Sequence, residues 1–236
     1  MFKRVNNAAP IPVIWKATDF LGENLEITPF NADPRVPQNQ YFPLEEVIHY
    51  ITNPKNRAMS GDGKTRAFLP TKNFAQPLDK AALLKSGLVS AADSSYIPAE
   101  MQLQLSSSYA TRAELSIMNI IAGVAKDGWR RPIYFANGIY PIGLQNYFQS
   151  EGLLNKVVPA LRPSAVQGLP IMTNLDKNIE LITKKFTLGG ASGKNIYYDE
   201  KNKVMFIPYL LAAVDLANNL SFAERKADAI KVLDHI

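Results

Sequence analysis

The segment with the clearest chemical potential is AMSGDGKT, residues 58–65. It matches a phosphate-binding loop except at Ala58, where the loop needs a glycine so that its backbone can approach the phosphates closely. A working loop also lies between a buried strand and a helix, and neither flanking segment, NPKNR or RAFLP, has such a pattern. The sequence therefore favours a solvated turn over a nucleotide site.

The other reactive side chains form no recognisable constellation. His49 and His235 are the only imidazoles and lie far apart in the sequence, without the spacing of a local metal motif. Asp199 and Glu200 are adjacent, and adjacent residues on a strand point to opposite faces, so a turn or helix-capping role is favoured over an acid/base pair. Cysteine is absent, and no serine lies in a G-x-S-x-G elbow. We expect no catalytic residue, metal or cofactor in this segment.

Aromatic side chains are concentrated in residues 129–159, whose pattern predicts a strand, a turn and a helix. This stretch includes the tyrosines and phenylalanines Tyr134, Phe135, Tyr140, Tyr147 and Phe148. We expect Phe135 and Phe148 to pack in the core. For Tyr140 and Tyr147 two interpretations stay open: they pack in the core, or they line a sugar- or peptide-binding surface, since tyrosine combines a flat apolar face with a polar tip.

A set of candidate binding residues follows from this stretch. The set consists of Arg131, Tyr134, Tyr140, Asn146 and Tyr147. Arg131 also has two interpretations, because a guanidinium group can bind a carboxylate or phosphate with two hydrogen bonds, or form a salt bridge where a strand begins.

The composition and charge pattern argue against nucleic-acid binding and against a membrane-spanning helix. The net charge of +5 comes from scattered basic residues, whereas nucleic-acid binders concentrate charge on one stripe, so we expect no nucleic-acid binding. A membrane-spanning helix needs ~20 consecutive apolar residues. The best apolar segments, 115–125 and 206–217, are shorter and interrupted, and no targeting signal is visible in residues 1–15.

The first half of the chain predicts an extended arm followed by short elements. Proline-rich residues 1–40 predict the arm, with a strand at 13–16. Helices are predicted at 43–52 and 112–125, a short helix or turn at 79–86, and strands at 67–70 and 101–105. The last helix has a capping box, because the Thr111 hydroxyl and the Glu114 carboxylate can each accept a hydrogen bond from the other residue's backbone N–H.

The second half predicts a small sheet and then helices. A buried strand is predicted at 133–136, a short helix at 143–150 and a strand at 153–158. A helix capped by Thr173 or Asn174 should extend to about residue 186, followed by a glycine-rich loop and a strand at 195–198. Helices are then predicted at 203–219 and 222–235, the second opened by a capping box from Ser221 to Glu224.

These elements predict an α+β fold. It consists of a small mixed sheet with packed helices, followed by a C-terminal helix pair that resembles one unit of a tetratricopeptide-like repeat array. The predicted divisions are an arm at 1–40, an α/β core at 41–172 and a helical segment at 173–236.

Several segments resemble a known bacterial family, in the right order and over most of the chain. They are residues 41–51, 67–87, 131–136, 143–159 and 184–203, with WRRPIYFA (129–136) and YFQSEGL (147–153) the most distinctive. The chain is similar to the C-terminal soluble region of the domain of unknown function 2723 family, which comprises membrane proteins that resemble protein O-mannosyltransferases.

The resemblance implies a location and a role. In such glycosyltransferase-like proteins the catalytic acid lies in an early loop among membrane helices that this chain lacks, so no catalytic residue is carried over. It implies a noncatalytic domain at the extracytoplasmic, periplasmic face of a bacterial inner membrane, anchored through the membrane helices of its parent. An acceptor protein or glycan is the implied partner. The alternative is a free-standing protein–protein interaction module that uses its C-terminal helices.

Overall fold

A computed structural model describes residues 13–14, 27–59, 63–136, 141–162, 172–186 and 199–236. The chain contains two compact units. Unit 1 comprises Met1–Pro132 and Tyr140–Leu144, and unit 2 comprises Ile133–Ile139 and Gln145–Ile236. The predicted boundaries at residues 40 and 172 are based on changes in composition and periodicity along the chain, whereas these two units are defined by contacts between residues. The predicted division therefore stays a prediction.

The described strands are short. They are β1 (Ile27–Pro29), β2 (Phe42–Pro43), β3 (Ala58–Met59), β4 (Thr65–Arg66), β5 (Asn73–Pro77), β6 (Glu100–Gln104), β7 (Tyr109–Thr111), β8 (Tyr134–Ala136), β9 (Phe148–Glu151), β10 (Leu154–Val157) and β11 (Met172–Thr173). The α-helices are α1 (Leu44–Thr52), α2 (Lys80–Lys85), α3 (Arg112–Lys126), α4 (Leu175–Glu180), α5 (Glu200–Val204), α6 (Ile207–Phe222) and α7 (Lys226–Leu233). The predicted α+β class is confirmed, including the C-terminal helix pair.

Unit 1 is built on the sheet β2–β5–β6, in which β5 is parallel to β2 and antiparallel to β6. Met101 and Leu103 alternate with exposed glutamines along β6 and are fully buried, as the period of a half-buried strand requires. Helix α1 covers this core with Leu44, Val47 and Ile51, which lie on its buried side. The predicted helix at 43–52 and strand at 101–105 are therefore confirmed.

Helix α3 begins and ends with complete capping motifs. The Thr111 Oγ1 accepts from the Glu114 backbone N–H, and a Glu114 carboxylate oxygen accepts from the Thr111 N–H at 2.7 Å, which confirms the capping box. At the other end Gly128 has φ +71°, and the N–H groups of Gly128 and Trp129 donate to the carbonyls of Ala125 and Val124. This is a Schellman motif, and Trp129 is buried directly behind it.

Two predicted elements of unit 1 differ from the structure. Residues 67–70 hold only an isolated bridge from Leu69 to Phe30, and the strand lies later, at β5. Strand β5 has the sequence NFAQP, whose polar and proline residues are poor strand formers. Pairing with β6 holds it in the sheet. Val13 and Ile14 are not in a strand, and the rest of the predicted strand at 13–16 lies outside the described residues.

Unit 2 contains a four-stranded sheet in the order β11–β9–β10–β8. Strands β9, β10 and β8 are antiparallel, and β11 joins β9 in parallel. The predicted strand at 153–158 is confirmed as β10. The predicted strand at 133–136 exists as β8, but it is an exposed edge strand and not a buried one. The predicted helix at 143–150 is wrong in its second half, because the 3₁₀ turn Pro141–Tyr147 is followed by strand β9.

The helices of unit 2 enclose a separate core. Helix α4 begins after Asn174, whose side chain caps it as predicted, and continues as a π-helical turn, Leu181–Lys185. Helices α6 and α7 pack on each other and bury a core that consists of Ile182, Tyr209, Ala213, Leu216, Ala217, Leu220, Ala229 and Val232. The predicted strand at 195–198 lies outside the described residues.

The boundaries of the C-terminal helices differ from the prediction. The predicted helix at 203–219 is two helices, and α6 starts at Ile207 because Pro208 suits a first helical turn. The predicted capping box at Ser221 is wrong, since Ser221 lies inside α6. Instead Glu224, with φ +60°, occupies the left-handed position of a Schellman motif in which the N–H of Arg225 donates to the carbonyl of Leu220.

Candidate functional site

The predicted binding residues fall in different environments. Arg131 is half-buried in unit 1, Asn146 is exposed in unit 2, and Tyr140 lies outside the described residues. Tyr147 is only 3% exposed, so its ring lies in the core, which is one of the two interpretations open from the sequence. A binding role for this set stays a prediction.

Tyr134 is the predicted residue with the best-defined contact. Its ring is 43% exposed on edge strand β8, and its hydroxyl donates to Glu151 Oε2 at 3.0 Å. Partial burial, together with that hydrogen bond to a carboxylate, raises the pKa of Tyr134 to about 12. Tyr134 is therefore a neutral donor at physiological pH, tied to the neighbouring hairpin.

The motifs with apparent chemistry have structural surroundings. The segment 58–65 begins in β3 and ends in β4, and these strands pair antiparallel, so its described ends lie in a strand pair and not at the start of a helix. The Asp199 carbonyl accepts from the Lys203 N–H at the start of α5, in agreement with the predicted turn or capping role. Within the described ranges no group of three or more acidic or histidine side chains is placed to hold a metal ion.

A network of buried charge in unit 1 also has a structural role. Asp33 is 5% exposed and accepts hydrogen bonds from the guanidinium group of Arg35 and from the Tyr50 hydroxyl. These bonds, the one from Arg35 foremost, hold the pKa of Asp33 well below its ordinary value. The network joins the turn at residues 33–36 to helix α1.

A cleft lies within unit 2, between the sheet and helix α6, and encloses about 250 Å³. Its floor is a row of polar side chains across three strands: Thr173 on β11 pairs with Ser150 on β9, which pairs with Asn155 on β10. Residues directly opposite each other in a sheet share a face, and neighbouring strands lie about 4.8 Å apart. The three side chains therefore form a line about 10 Å long.

Helix α6 forms the opposite wall of this cleft. Pro208, Leu211, Ala212 and Asp215 line it, at the spacing of one helical face. Two of the lining leucines, Leu153 in the β9–β10 turn and Leu211 on α6, are 43% and 57% exposed. The cleft thus has a polar floor and an apolar rim.

A buried amide fixes the hairpin that forms the floor. Asn178 on α4 is 2% exposed; its Oδ1 accepts from the Gly152 N–H and its Nδ2 donates to the Ser150 carbonyl at 2.9 Å. Both ends of one side chain hold the β9–β10 turn, so the floor is rigidly positioned. No local sequence signal marks this cleft, because its lining residues come from five separate elements, β9, β10, β11, α4 and α6.

Helix α6 also carries an exposed apolar stripe, which we define as Ile207, Leu210, Leu211, Val214 and Phe222. These side chains are between 42% and 63% exposed, while Tyr209, Leu216 and Leu220 on the other side are buried. A helix that is apolar on both faces is typical of one packed from two sides. None of the described helices has the length and apolar content needed to cross a bilayer.

The fold and the site together define an α+β domain with a braced cleft and a C-terminal helix pair. The chain belongs to the TMEM260-associated domain 2 family, whose model matches residues 1–178. No curated protein and no solved structure matches the chain significantly. The family match names a domain associated with TMEM260, and the resemblance to the domain of unknown function 2723 family stays a prediction.

Proposed function

We propose that this chain is a noncatalytic, extracytoplasmic domain of a membrane-anchored, glycosyltransferase-like protein, and that it positions an acceptor protein or glycan. The observation that carries the proposal is the match of residues 1–178 to a TMEM260-associated domain. The resemblance of residues 129–136 and 147–153 to the soluble region of O-mannosyltransferase-like proteins supports the same role.

Three carboxylates of unit 1 make structural contacts. Asp33 binds Arg35 and Tyr50, Glu114 closes the capping box, and the side chain of Asp79 caps helix α2. Each of these acids is committed to a backbone or side-chain partner that stabilises the fold. These three carboxylates therefore have structural roles.

A competition assay tests the proposed function. Membranes that contain the full-length parent are supplied with a polyprenyl-phosphate sugar donor and an acceptor protein, with and without excess purified chain. We expect transfer by the membranes, no transfer by the chain alone, and reduced transfer when the chain competes for the acceptor. Chain unfolded by heating is the control. Sugar transfer by the chain alone would refute the proposal, as would undiminished transfer in the presence of excess chain.

The apolar stripe of α6 favours a second candidate, a free-standing interaction module that docks a partner through its C-terminal helices. The reading frame upstream of Met1 separates the two candidates. Hydrophobic segments long enough to span a bilayer support the first, and a signal peptide or no such segment supports the second. A direct test is Val214→Lys, which should weaken partner binding, whereas Ala113→Lys adds the same charge at an exposed position of α3 in unit 1, away from the stripe, and should not.

A further inference from the structure

The charges of the cleft in unit 2 restrict what it can bind. Asp215 is the one charged residue among the described residues that line it, and these include no lysine, arginine or histidine. A phosphate or carboxylate group there would face a like charge without a compensating cation. The cleft therefore disfavours an anionic ligand, and the Asp215 carboxylate can accept hydrogen bonds from the hydroxyl groups of a neutral one.

The floor of the cleft offers unused hydrogen-bonding groups. The hydroxyls of Ser150 and Thr173 and the side-chain amide of Asn155 make no side-chain hydrogen bond to any other described residue. Hydroxyls both donate and accept, and an amide carries both functions on separate atoms. A ligand with several hydroxyl groups along one edge can satisfy such a row, because its own groups also donate and accept.

The rim and the size of the cleft complete the description. Leu153 in the β9–β10 turn and Leu211 on α6 present exposed C–H surface beside the polar floor. A volume of about 250 Å³ lies just under the ~300–1,000 Å³ of typical ligand pockets, so it fits one ring and not a nucleotide or a lipid chain.

We propose that this cleft binds a single neutral pyranose residue. The sugar hydroxyls bond to Thr173, Ser150, Asn155 and Asp215, and the apolar C–H face of the ring packs on the leucine rim. The bracing by Asn178 means that the floor is formed before the ligand arrives, which lowers the entropic cost of binding. This inference rests on the proposed function, because it identifies a glycan as what the domain positions.

The test uses the whole purified chain and saturation-transfer NMR with methyl glycosides of neutral hexoses. We expect saturation transfer to at least one glycoside, with dissociation constants in the millimolar range. Thr173→Val and Asp215→Asn should each weaken binding about three- to tenfold, the loss of one hydrogen bond. Asp234→Asn, an exposed carboxylate at the end of α7, is the matched control and should bind as the wild type does.

Several results would overturn the inference. They are no transfer to any glycoside at tens of millimolar, binding unchanged in both cleft variants, or stronger binding of a hexose phosphate or an acetylated serine peptide. Unchanged melting temperatures of the variants establish that the fold is intact. Failure here differs from failure of the proposed function, since the chain can still compete for acceptor protein in the membrane assay when it binds no free sugar.

Discussion

The replacement Gly152→Ala tests how unit 2 is packed at the hairpin of the cleft. Gly152 has φ +65°, and a Cβ atom there would lie 2.7 Å from the Cζ atom of Phe186 and 3.1 Å from a methyl carbon of Leu181. The Phe186 ring packs in turn against Tyr209, with ring centroids 6.2 Å apart, so it has little room to move.

The expected magnitude has two parts. A left-handed backbone costs an alanine ~1–2 kcal/mol, offset by up to ~1 kcal/mol because alanine restricts the unfolded chain more than glycine does. Overpacking against Phe186 adds ~1–3 kcal/mol. We expect Gly152→Ala to lower the free energy of unfolding of unit 2 by ~1–5 kcal/mol. Gly87→Ala is the control, since φ is +71° but nothing lies within 4 Å of the new Cβ.

Hydrogen exchange followed by mass spectrometry measures each unit separately. Trp129 is buried in unit 1, so its fluorescence, recorded in a Trp15→Phe background, reports unfolding of that unit. We expect Gly152→Ala to speed exchange in α4 and α6 while tryptophan fluorescence in urea is unchanged. If Gly152→Ala and Gly87→Ala cost the same within ~0.5 kcal/mol, the packing argument for Phe186 is refuted.

Three further predictions concern stability. Thr111→Ala should lower stability by ~1 kcal/mol in urea unfolding, while Ser116→Ala on the same helix should change it little, since only Thr111 caps. Glu224→Gly should raise the melting temperature, by the equivalent of ~0.5–1 kcal/mol, because glycine adopts φ +60° without strain; a lower melting temperature would contradict this. Asp33→Asn should destabilise the protein at pH 7. The pKa of Asp33 is lowered in the folded protein, so its carboxylate stabilises the fold fully above its ordinary pKa of 3.8, and this stabilisation is lost as the pH falls below that value. The difference in unfolding free energy between wild type and Asp33→Asn should therefore shrink in acid. A difference that does not change with pH would refute the ion-pair account.

Elements with local signals could be predicted from the sequence. The capping residues Thr111 and Asn174 each satisfy backbone groups within one turn, and both helices begin where these residues indicate. The pattern at Ser221 was misleading because Leu220 is fully buried in the core of unit 2, which keeps α6 helical through Phe222. Tertiary packing there overrides a local cap.

The cleft could not be predicted, for a different reason. Its floor depends on the register between β9 and β10 and on the parallel pairing of β11, which is set by contacts between distant segments. Nothing in the local sequence distinguishes Ser150, Asn155 and Thr173 from other polar residues. Only the strand pairing places them side by side. Burial does not alternate along β9 or β10, so the two-residue period of a half-buried strand could not have found them either.

The interleaving of the two units bears on how the protein is made and how it can be cut. Residues 140–144 return to unit 1 after 133–139 have entered unit 2, and they bring Ile142 and Leu144, which are 4% and 0% exposed. A fragment that stops at Pro132 would lack both core side chains, and a fragment that starts at Gln145 would lack strand β8. During synthesis unit 1 stays incomplete until residue 144 has left the ribosome, when an edge strand of unit 2 has already emerged. No single cleavage point yields two intact units. To express either unit alone, its two segments must be joined by a linker, because truncation at one point removes part of it.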